Sequence, residues 1–466
     1  MNTETFDREW DVIVVGGGVS GVVAATAAAR NNAATLLVEK DGSLGGTMTT
    51  CRVGPMMTFH SRTEQLIQGL PQEIVDRLIA MEASPGHILD TSGYVATITP
   101  FDSESLKLVA QRMVLESGAH LLLHTLTVDV ETVDAAIKSV YVDANGQRSR
   151  LKARVVVDAT GDADVAYQSG APWELGRPSD NLVQPLSLMF KVKGWDKAAF
   201  TDYAVNHPEQ LRLSAEGAQA YQREPLVAVA GFEQILQDAL EAGEIPGLQR
   251  EHVLFFNTHR PDEVTVNMSR IPEVNPLDAE ELTQAEAVGR EQVFNLMRFL
   301  RKHIPGFQNA DVVAVGERVG VRESRRIVGE YVLTAEDVGA GRRFPDVIAR
   351  SAYPIDIHAR TPDEKDLDQA EFKDDFVSQG VTYEIPYRCL VPKAVDGLLV
   401  TGRCISATVD AHGATRVSPS CMAFGQAAGT AAALSVQDGV PPRDLDTDKL
   451  QRVLKHQGAN LGQNAI

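Results

Sequence analysis

The chain has 466 residues, 44% of them apolar, and a net charge of −19. This length is enough for two or three domains, or for one large domain with an insertion. The acidity argues against nucleic-acid binding, since the longest basic cluster, Arg322 to Arg326, is interrupted by Glu323. The polar N-terminus does not resemble a signal peptide, and no long apolar run predicts a membrane span. The four cysteines include no C-x-x-C pair, so we expect a cytoplasmic protein.

Residues 11 to 40 have the pattern of a βαβ unit with a glycine-rich turn. A short apolar strand leads into Gly16-x-Gly18-x-x-Gly21, and an alanine-rich helix and a second strand ending at Glu39 follow. Gly16 permits a tight turn, Gly18 lets the backbone approach a pyrophosphate, and Gly21 lets the helix pack on the strand. The carboxylate of Glu39 can accept hydrogen bonds from the ribose hydroxyls of a dinucleotide. The unit therefore predicts dinucleotide binding, without separating NAD from FAD.

Two later strands also end in small residues. Val155 to Val157 runs into Asp158-Ala159-Thr160-Gly161-Asp162, and Leu398 to Val400 runs into Thr401-Gly402. A glycine pair, Gly45-Gly46, follows the acid of the first unit. Three such strand ends suit a long cofactor such as FAD better than the single nicotinamide half of a dinucleotide.

These motifs resemble the FAD-dependent oxidoreductase family of glutathione-reductase-like fold, distantly akin to the fumarate reductase and succinate dehydrogenase flavoproteins. The resemblance covers about residues 10 to 435 and rests on VVGGGVSGVVAA, LGGTMT, VVVDATGDADVA, RESRRIVGEYVLTAEDV and LLVTGRCISATVDAHGATRVSPSCMAFGQAAGTAAAL. It implies an α/β fold, with a Rossmann-like FAD-binding domain and an inserted α+β substrate domain. The expected domains are 8–170 and 385–440 for FAD, 171–384 for the substrate, and a tail at 441–466.

The cofactor contacts that we expect lie at the strand ends and at a helix opening near Ser418. They are Gly16, Gly18, Val19, Ser20, Gly21, Glu39, Lys40, Gly45, Gly46, Thr47, Met48, Thr127, Val128, Ala159, Thr160, Gly161, Asp164, Gly402, Arg403, Arg416, Ser420 and Cys421. Ser418 as N-cap and Pro419 at the first position predict the helix start, and Asp438-Gly439 its end. By the resemblance, this helix directs its N-terminus at the flavin, where its partial positive charge stabilises the reduced form.

The catalytic candidates are histidines and arginines near the same motifs. Histidine exchanges protons near neutral pH, and the planar fork of arginine suits carboxylates. His60 is also an alternative point of covalent flavin attachment, as a histidine is in the fumarate reductase relatives. The first choices are His412, Arg416, His60, His358 and Arg388. Arg322, Glu323, Tyr353 and Tyr387 are further candidates.

The segment 403–421 also admits other readings. Cys404 and Cys421 are weak candidates for a redox dithiol, His412 with Asp410 lacks zinc-ligand spacing, and no G-x-S-x-G elbow supports a Ser-His-Asp hydrolase. We therefore expect no metal and favour packing roles for the cysteines.

The predicted function is a flavin-dependent dehydrogenase, oxidase or reductase that transfers a hydride between a small organic molecule and flavin N5. The alternatives are an electron-relay or thiol–disulfide subunit and a non-catalytic FAD-binding protein. The electron acceptor stays open among oxygen, a quinone, a partner protein and NAD(P)H, and a homo-oligomer is also left open.

Overall fold

The computed structural model describes residues 6, 8–212, 220–361, 364 and 380–462. Its first sheet has seven strands and includes both parts of the chain that carry the strand-end motifs. They are β1 (Glu9–Val15), β2 (Thr35–Val38), β6 (His120–Leu122), β7 (Leu126–Val133), β8 (Ala136–Ala144), β9 (Gln147–Asp158) and β19 (Leu398–Val400).

The two halves of β9 have different partners. Its C-terminal half lies in the parallel region β6-β2-β1-β9-β19, where Val15 pairs with both Val38 and Asp158, and Val400 pairs with Asp158. Its N-terminal half pairs with the antiparallel hairpin β7-β8. In the parallel region, the carboxyl ends of β1, β2, β9 and β19 meet at one edge, which is where ligands bind in open α/β sheets.

A second sheet is antiparallel and comes from the middle of the chain. Its order is β12-β13-β14-β11-β15, with β11 (Phe190–Lys193), β12 (Ala228–Gly231), β13 (Val253–Asn257), β14 (Glu263–Val266) and β15 (Asp311–Val315). The sequence predicts a strand from Val264 to Met268, and β14 lies one to two residues earlier.

Three small sheets complete the strands. They are β3-β5-β4, with β3 (Met56–Met57), β4 (Ile88–Leu89) and β5 (Thr97–Thr99), then the pair β10 (Trp173–Leu175) and β16 (Arg325–Ile327), and the pair β17 (Val347–Ser351) and β18 (Tyr383–Pro386).

The described helices lie around these sheets. They are α1 (Val19–Arg30), α2 (Leu70–Ala80), α3 (Ser103–Glu116), α4 (Asp164–Gln168), α5 (Lys197–Asn206), α6 (Glu233–Glu241), α7 (Ala279–His303), α8 (Ala335–Gly339), α9 (Val409–Thr415), α10 (Ser418–Asp438) and α11 (Thr447–His456). None of them is long and apolar enough to cross a membrane.

Two predicted helix boundaries need adjustment. The sequence predicts a helix over 283–306, and α7 begins earlier because the Asp278 carboxylate accepts hydrogen bonds from the Glu280 and Glu281 amides. The prediction of Ser418 as an N-cap is wrong: Val417 holds that position, without a side-chain cap. The predicted end of α10 is confirmed, because Gly439 has the left-handed conformation that stops a helix.

Helices α1 and α10 cross at very short distance. A Cβ added at Gly425 would lie 2.2 Å from the Ser20 carbonyl oxygen, and one at Gly429 would lie 2.0 Å from that of Ala24. Only glycine permits this approach. The contact fixes the start of α10 beside the glycine-rich turn, although the two are 400 residues apart in the chain.

Separate hydrophobic cores support the two large sheets. The core of the five-stranded sheet contains residues from Leu186 to Val319, including Trp195 and Phe255. Apolar residues of the segments 333–349 and 383–391 pack instead with β1, α1 and α10, and Leu450 and Leu454 of α11 join them.

Candidate active site

A cavity of about 450 Å³ opens at the carboxyl ends of β1, β2 and β9. Most of the predicted cofactor contacts line it, and they come from segments distant in the chain. These are Gly16, Gly18, Val19, Ser20, Glu39, Lys40, Gly46, Thr47, Thr127, Ala159, Thr160, Gly161, Asp164, Gly402, Arg403, Arg416 and Cys421.

Five residues predicted to contact the cofactor do not line the cavity. A Cβ on Gly21 would lie 1.8 Å from the Gly16 carbonyl oxygen, so this glycine serves helix packing. Gly45 supports the wall from behind, its amide donating to the Gly17 carbonyl at 2.9 Å. Met48 is buried in a neighbouring core, and the Ser420 hydroxyl donates to Ser351 Oγ at 3.1 Å. Val128 lies on β7 beside Thr127, which does line the cavity.

Glu39 directly follows β2, and its buried carboxylate lines the cavity. Its Oε2 accepts a hydrogen bond from the Gly17 amide, and its Oε1 accepts one from the Asp41 amide at 2.7 Å. Burial raises the pKa of Glu39, and these two amide bonds oppose that rise. Glu39 therefore holds the glycine-rich turn against β2 and presents an acceptor to the cavity.

The turn after β9 is held by two carboxylates, the buried Asp158 and the half-buried Asp162. Asp158 Oδ1 accepts hydrogen bonds from the Thr160 amide at 3.0 Å and hydroxyl at 2.7 Å, and its Oδ2 accepts one from the Ala166 amide at 2.9 Å. Asp162 then pairs with Arg403 at 2.6 Å, so the ends of β9 and β19 are linked directly. Burial raises the pKa of Asp162, but the facing Arg403 guanidinium and other bonds outweigh that and keep it lowered.

The cavity wall fits a dinucleotide such as FAD. A Cβ on Gly18 would meet no atom within 4 Å, so this backbone is open to a ligand. Among the described residues, the buried atoms Arg403 Nη1 and Thr127 Oγ1 have no hydrogen-bond partner. Buried polar atoms in native proteins are nearly always satisfied, so these two call for a polar ligand.

A second group of side chains lines the same cavity and is here named the Asp356 cluster: Arg322, Tyr353, Asp356, His358 and Arg416. Arg416 Nη2 donates to Asp356 Oδ2 at 2.9 Å, and the Tyr353 hydroxyl donates to the same oxygen at 3.1 Å. His358 Nε2 lies 3.5 Å from Asp356 Oδ1. Burial by itself would raise the pKa of Asp356. The facing His358, Arg416 and Arg322 outweigh this effect and lower the pKa to about 2. Asp356 is therefore an anion at neutral pH.

Three catalytic candidates do not line the cavity. His412 is fully buried, its Nε2 bonds the Arg403 carbonyl at 3.0 Å, and burial lowers its pKa well below the usual range. His60 Nδ1 lies 3.1 Å from Thr97 Oγ1, away from the cavity lining. Arg388 pairs with Asp346 at 2.9 Å. Each of these three side chains therefore contacts other groups of the protein and does not face the cavity.

Two further candidates also do not line the cavity and make contacts within the protein. Glu323 is fully buried and pairs with Arg326 at 2.6 Å. The hydroxyl of Tyr387 donates to the Pro442 carbonyl at 2.8 Å. Of the nine candidates, the cavity brings together His358, Arg416, Arg322 and Tyr353.

All four cysteines are buried and free. Cys51 and Cys421 line the cavity, but burial raises the pKa of both thiols, that of Cys421 to about 12. A thiol with so high a pKa is a poor nucleophile. Among the described residues, no group of His, Cys, Asp and Glu is placed to hold a metal ion.

Sequence reasoning missed several residues of the cavity. Asp356 stands inside the segment SAYPIDIH, but nothing in its spacing marks it as the centre of a cluster. Arg318, which pairs with Asp41 at 2.9 Å, and the apolar Met189 and Phe256 come from the inserted sheet region. No motif carries them, since a wall formed by distant segments has no local pattern.

The fold and the cavity define a dinucleotide-binding α/β enzyme. A family model described as "FAD dependent oxidoreductase" matches residues 11–454, and the chain belongs to that family. It is therefore a flavin-dependent oxidoreductase with FAD as its cofactor. A comparison with curated proteins found no match.

The solved structures that match this chain are distant from it in sequence. A geranylgeranyl bacteriochlorophyll reductase-like protein from Thermoplasma acidophilum is 13% identical, with 97% of this chain and 85% of that chain covered and a TM-score of 0.46. The flavin-dependent brominase Bmp2 is 12% identical, with 96% and 83% covered and a TM-score of 0.48. p-Nitrophenol 4-monooxygenase from Pseudomonas putida DLL-E4 is 10% identical, with 97% and 86% covered and a TM-score of 0.46. Similarities this distant carry no argument about the reaction.

Proposed function

We propose that the enzyme transfers a hydride between N5 of FAD and a small organic molecule held by the Asp356 cluster, within a fold of glutathione-reductase type. One observation carries the proposal: a single cavity is lined both by the dinucleotide-binding strand ends and by Arg322, Tyr353, Asp356, His358 and Arg416. Bound FAD supplies the two-electron chemistry, and the chain supplies binding, orientation and a defined electrostatic environment.

The proposed FAD contacts are the predicted residues that line the cavity. The first turn of α10 adds Ser418 and Cys421 to that lining, which places a helix N-terminus at the cavity. Its partial positive charge favours a negatively charged group there. In the domain organisation that we propose, the sheet of β1, β2, β9 and β19 holds FAD and the five-stranded sheet covers the substrate.

The bonds within the Asp356 cluster assign positioning roles rather than a free base. Arg270 Nη2 lies 3.2 Å from His358 Nδ1, and His358 Nε2 lies 3.5 Å from Asp356 Oδ1, so both ring nitrogens are engaged by neighbouring side chains. Burial raises the pKa of the Tyr353 hydroxyl well above its usual range, so it remains a donor. In this arrangement His358 and Arg416 orient Asp356 and Tyr353 towards the substrate.

The thiol–disulfide alternative finds no support in the geometry. It requires a reactive pair of cysteines, whereas all four thiols are free and burial raises the pKa of each. Exchange of disulfides needs the thiolate form.

The test is an anaerobic screen of small alcohols, amines, acids and enones against the FAD-loaded protein. We expect one class to bleach the oxidised flavin band, or to reoxidise chemically reduced flavin, and Arg416→Gln to slow this step by about 100-fold if it retains FAD. Arg148→Gln, which changes an exposed arginine on β9 with 57% side-chain exposure, is the matched control. A protein that binds no FAD after reconstitution would contradict the proposal.

A further inference from the structure

One face of the five-stranded sheet is directed at the cavity. Val264 and Val266 of β14 belong to the hydrophobic core of that sheet. Because side chains alternate along a strand, Thr265 and Asn267 lie on the opposite face. The Asn267 amide donates to the Leu254 carbonyl at 3.0 Å, so the pairing of β14 with β13 extends to this residue. The backbone thus fixes Asn267 on the cavity-facing side, where it lines the cavity.

The neighbours of Asn267 on this face are apolar. Val266 pairs with Phe190, and by the same register Met189 lies opposite Asn267. Met189 and Phe256 both line the cavity. Phe256 also packs with Tyr353, so this face is continuous with the Asp356 cluster. Asn267 is therefore a polar side chain within an apolar part of the wall.

The side-chain amide of Asn267 has an unsatisfied atom. Among the described residues, its buried Oδ1 has no hydrogen-bond partner, although the residue as a whole is half-buried and lines the cavity. Buried polar atoms in native proteins are nearly always satisfied, so this amide calls for a partner from a ligand. An amide offers an acceptor oxygen beside two N–H donors, and it is matched by a group that also combines a donor with an acceptor. The apolar neighbours disfavour a charged group at this place.

We propose that Asn267 is a specificity-determining residue and that the substrate carries a neutral carboxamide or lactam, which pairs with the Asn267 amide while its carbon skeleton packs on Met189 and Phe256. This inference rests on the proposed function and names the substrate class for that site. The flavin ring also carries an N–H beside carbonyl groups, so FAD is the other source of this chemistry. The test therefore follows the binding of FAD and of the probes separately.

The test uses pairs of neutral probes of similar shape, in which an amide NH2 group is replaced by a methyl group. Acetamide and acetone, and benzamide and acetophenone, are titrated into the FAD-loaded enzyme, and binding is followed by the change in the flavin absorption spectrum. We expect each amide to bind more tightly than its ketone, and Asn267→Leu to reduce this preference at least about tenfold, the magnitude of a hydrogen bond to a buried group. The hydration of the probes cancels in this comparison, because it is the same for both enzymes.

Two further variants serve as controls. Asn267→Asp keeps the shape of the side chain and an acceptor oxygen, so it should retain part of the preference. Asn309→Leu changes an exposed asparagine outside the cavity lining and should retain all of it. The dissociation constant of FAD, measured for each variant, should stay at the wild-type value.

Three results would overturn the inference. The first is a wild-type enzyme that binds neither amide more tightly than its ketone, a measurement that needs no variant to fold. The second is an undiminished preference in FAD-loaded Asn267→Leu. The third is weaker FAD binding by an Asn267→Leu protein whose apo-form unfolds like the wild type, which would assign this amide to the cofactor. In each case the proposed function stands if a compound of the anaerobic screen bleaches the flavin, whereas a wild-type protein that retains no FAD contradicts the proposed function itself.

Discussion

At the scale of single residues, the three glycines of the N-terminal fingerprint have different duties. Gly16 has a φ of +100°, which only glycine adopts readily, and it closes the turn. Gly18 faces open space and Gly21 faces the backbone of the turn. One motif therefore combines a conformational, a ligand-facing and a packing requirement.

This division predicts opposite phenotypes for two substitutions. Gly18→Val extends a side chain into the space where we propose that FAD binds, so the protein should fold and remain colourless. Gly21→Ala places a Cβ 1.8 Å from the Gly16 carbonyl oxygen and should destabilise the fold by about 1–3 kcal/mol. Flavin absorbance and urea unfolding of the apo-protein separate the two. A normally yellow Gly18→Val protein would contradict the assigned geometry.

His87 predicts a pH effect on stability. Its Nδ1 lies 2.7 Å from Thr99 Oγ1 and its Nε2 lies 2.8 Å from Gln72 Oε1, both bonds that the neutral ring can make. Burial, and then the neighbouring His60, lower the pKa of His87 from 6.5 to about 4. Between pH 6.5 and about pH 4, His87 is protonated in the unfolded chain but neutral in the folded chain. The free energy of unfolding therefore decreases as the pH falls through this range.

His87→Gln should remove this part of the acid sensitivity. The free energy of unfolding of the wild type should drop by about 1–2 kcal/mol more than that of the variant between pH 7 and pH 4.5, after allowance for solvent screening. Urea titrations at the two pH values measure it. Parallel losses in both proteins would show that His87 titrates normally.

At the scale of elements, the contact between α1 and α10 determines where the second half of the site lies. Gly425 and Gly429 are one turn apart on α10 and both face carbonyl groups of α1. Because these two positions have no side chain, the helix backbones come into contact, and the start of α10 lies at the cavity wall.

Gly429→Ala should therefore weaken both folding and FAD binding. The added methyl group would lie 2.0 Å from the Ala24 carbonyl oxygen, so the helices must separate, at a cost of about 1–3 kcal/mol. Gly339→Ala is the control, because a Cβ there meets nothing within 4 Å. The melting temperature and the FAD dissociation constant are the measurements. Equal behaviour of the two variants would contradict the close crossing.

At the scale of the whole molecule, the two large sheets have separate hydrophobic cores. Phe255 packs with Trp195 and Phe307 in the core beneath the five-stranded sheet, whereas Phe424 lies on α10 in the core of the first sheet. The cavity lies between residues of both regions, so each core should support one half of the site.

Truncation of either phenylalanine should cost about 3–5 kcal/mol, with different consequences. Phe255→Ala should retain FAD and lose turnover, and Phe424→Ala should lose FAD. Flavin retention after gel filtration and flavin bleaching by a substrate from the anaerobic screen provide the readouts. Loss of FAD from both variants to the same degree would argue that the two cores do not act separately.

The sequence alone determined the nucleotide-binding half of this protein. The βαβ unit around Gly16 to Glu39, the ends of β9 and β19, and the helix from Ser418 to Asp438 follow from local patterns of apolar residues, glycines and proline. Such patterns act within a few residues of the chain, so they can be read without the fold.

Only the tertiary structure decided the other half. It grouped Arg322, Tyr353, Asp356, His358 and Arg416 around one cavity, and it placed His412 and Arg388 in structural contacts instead. Whether a histidine or arginine faces a cavity or a neighbouring backbone depends on the packing of segments far apart in the chain. No local pattern records that packing, which is why the candidates looked alike in the sequence and separated in the fold.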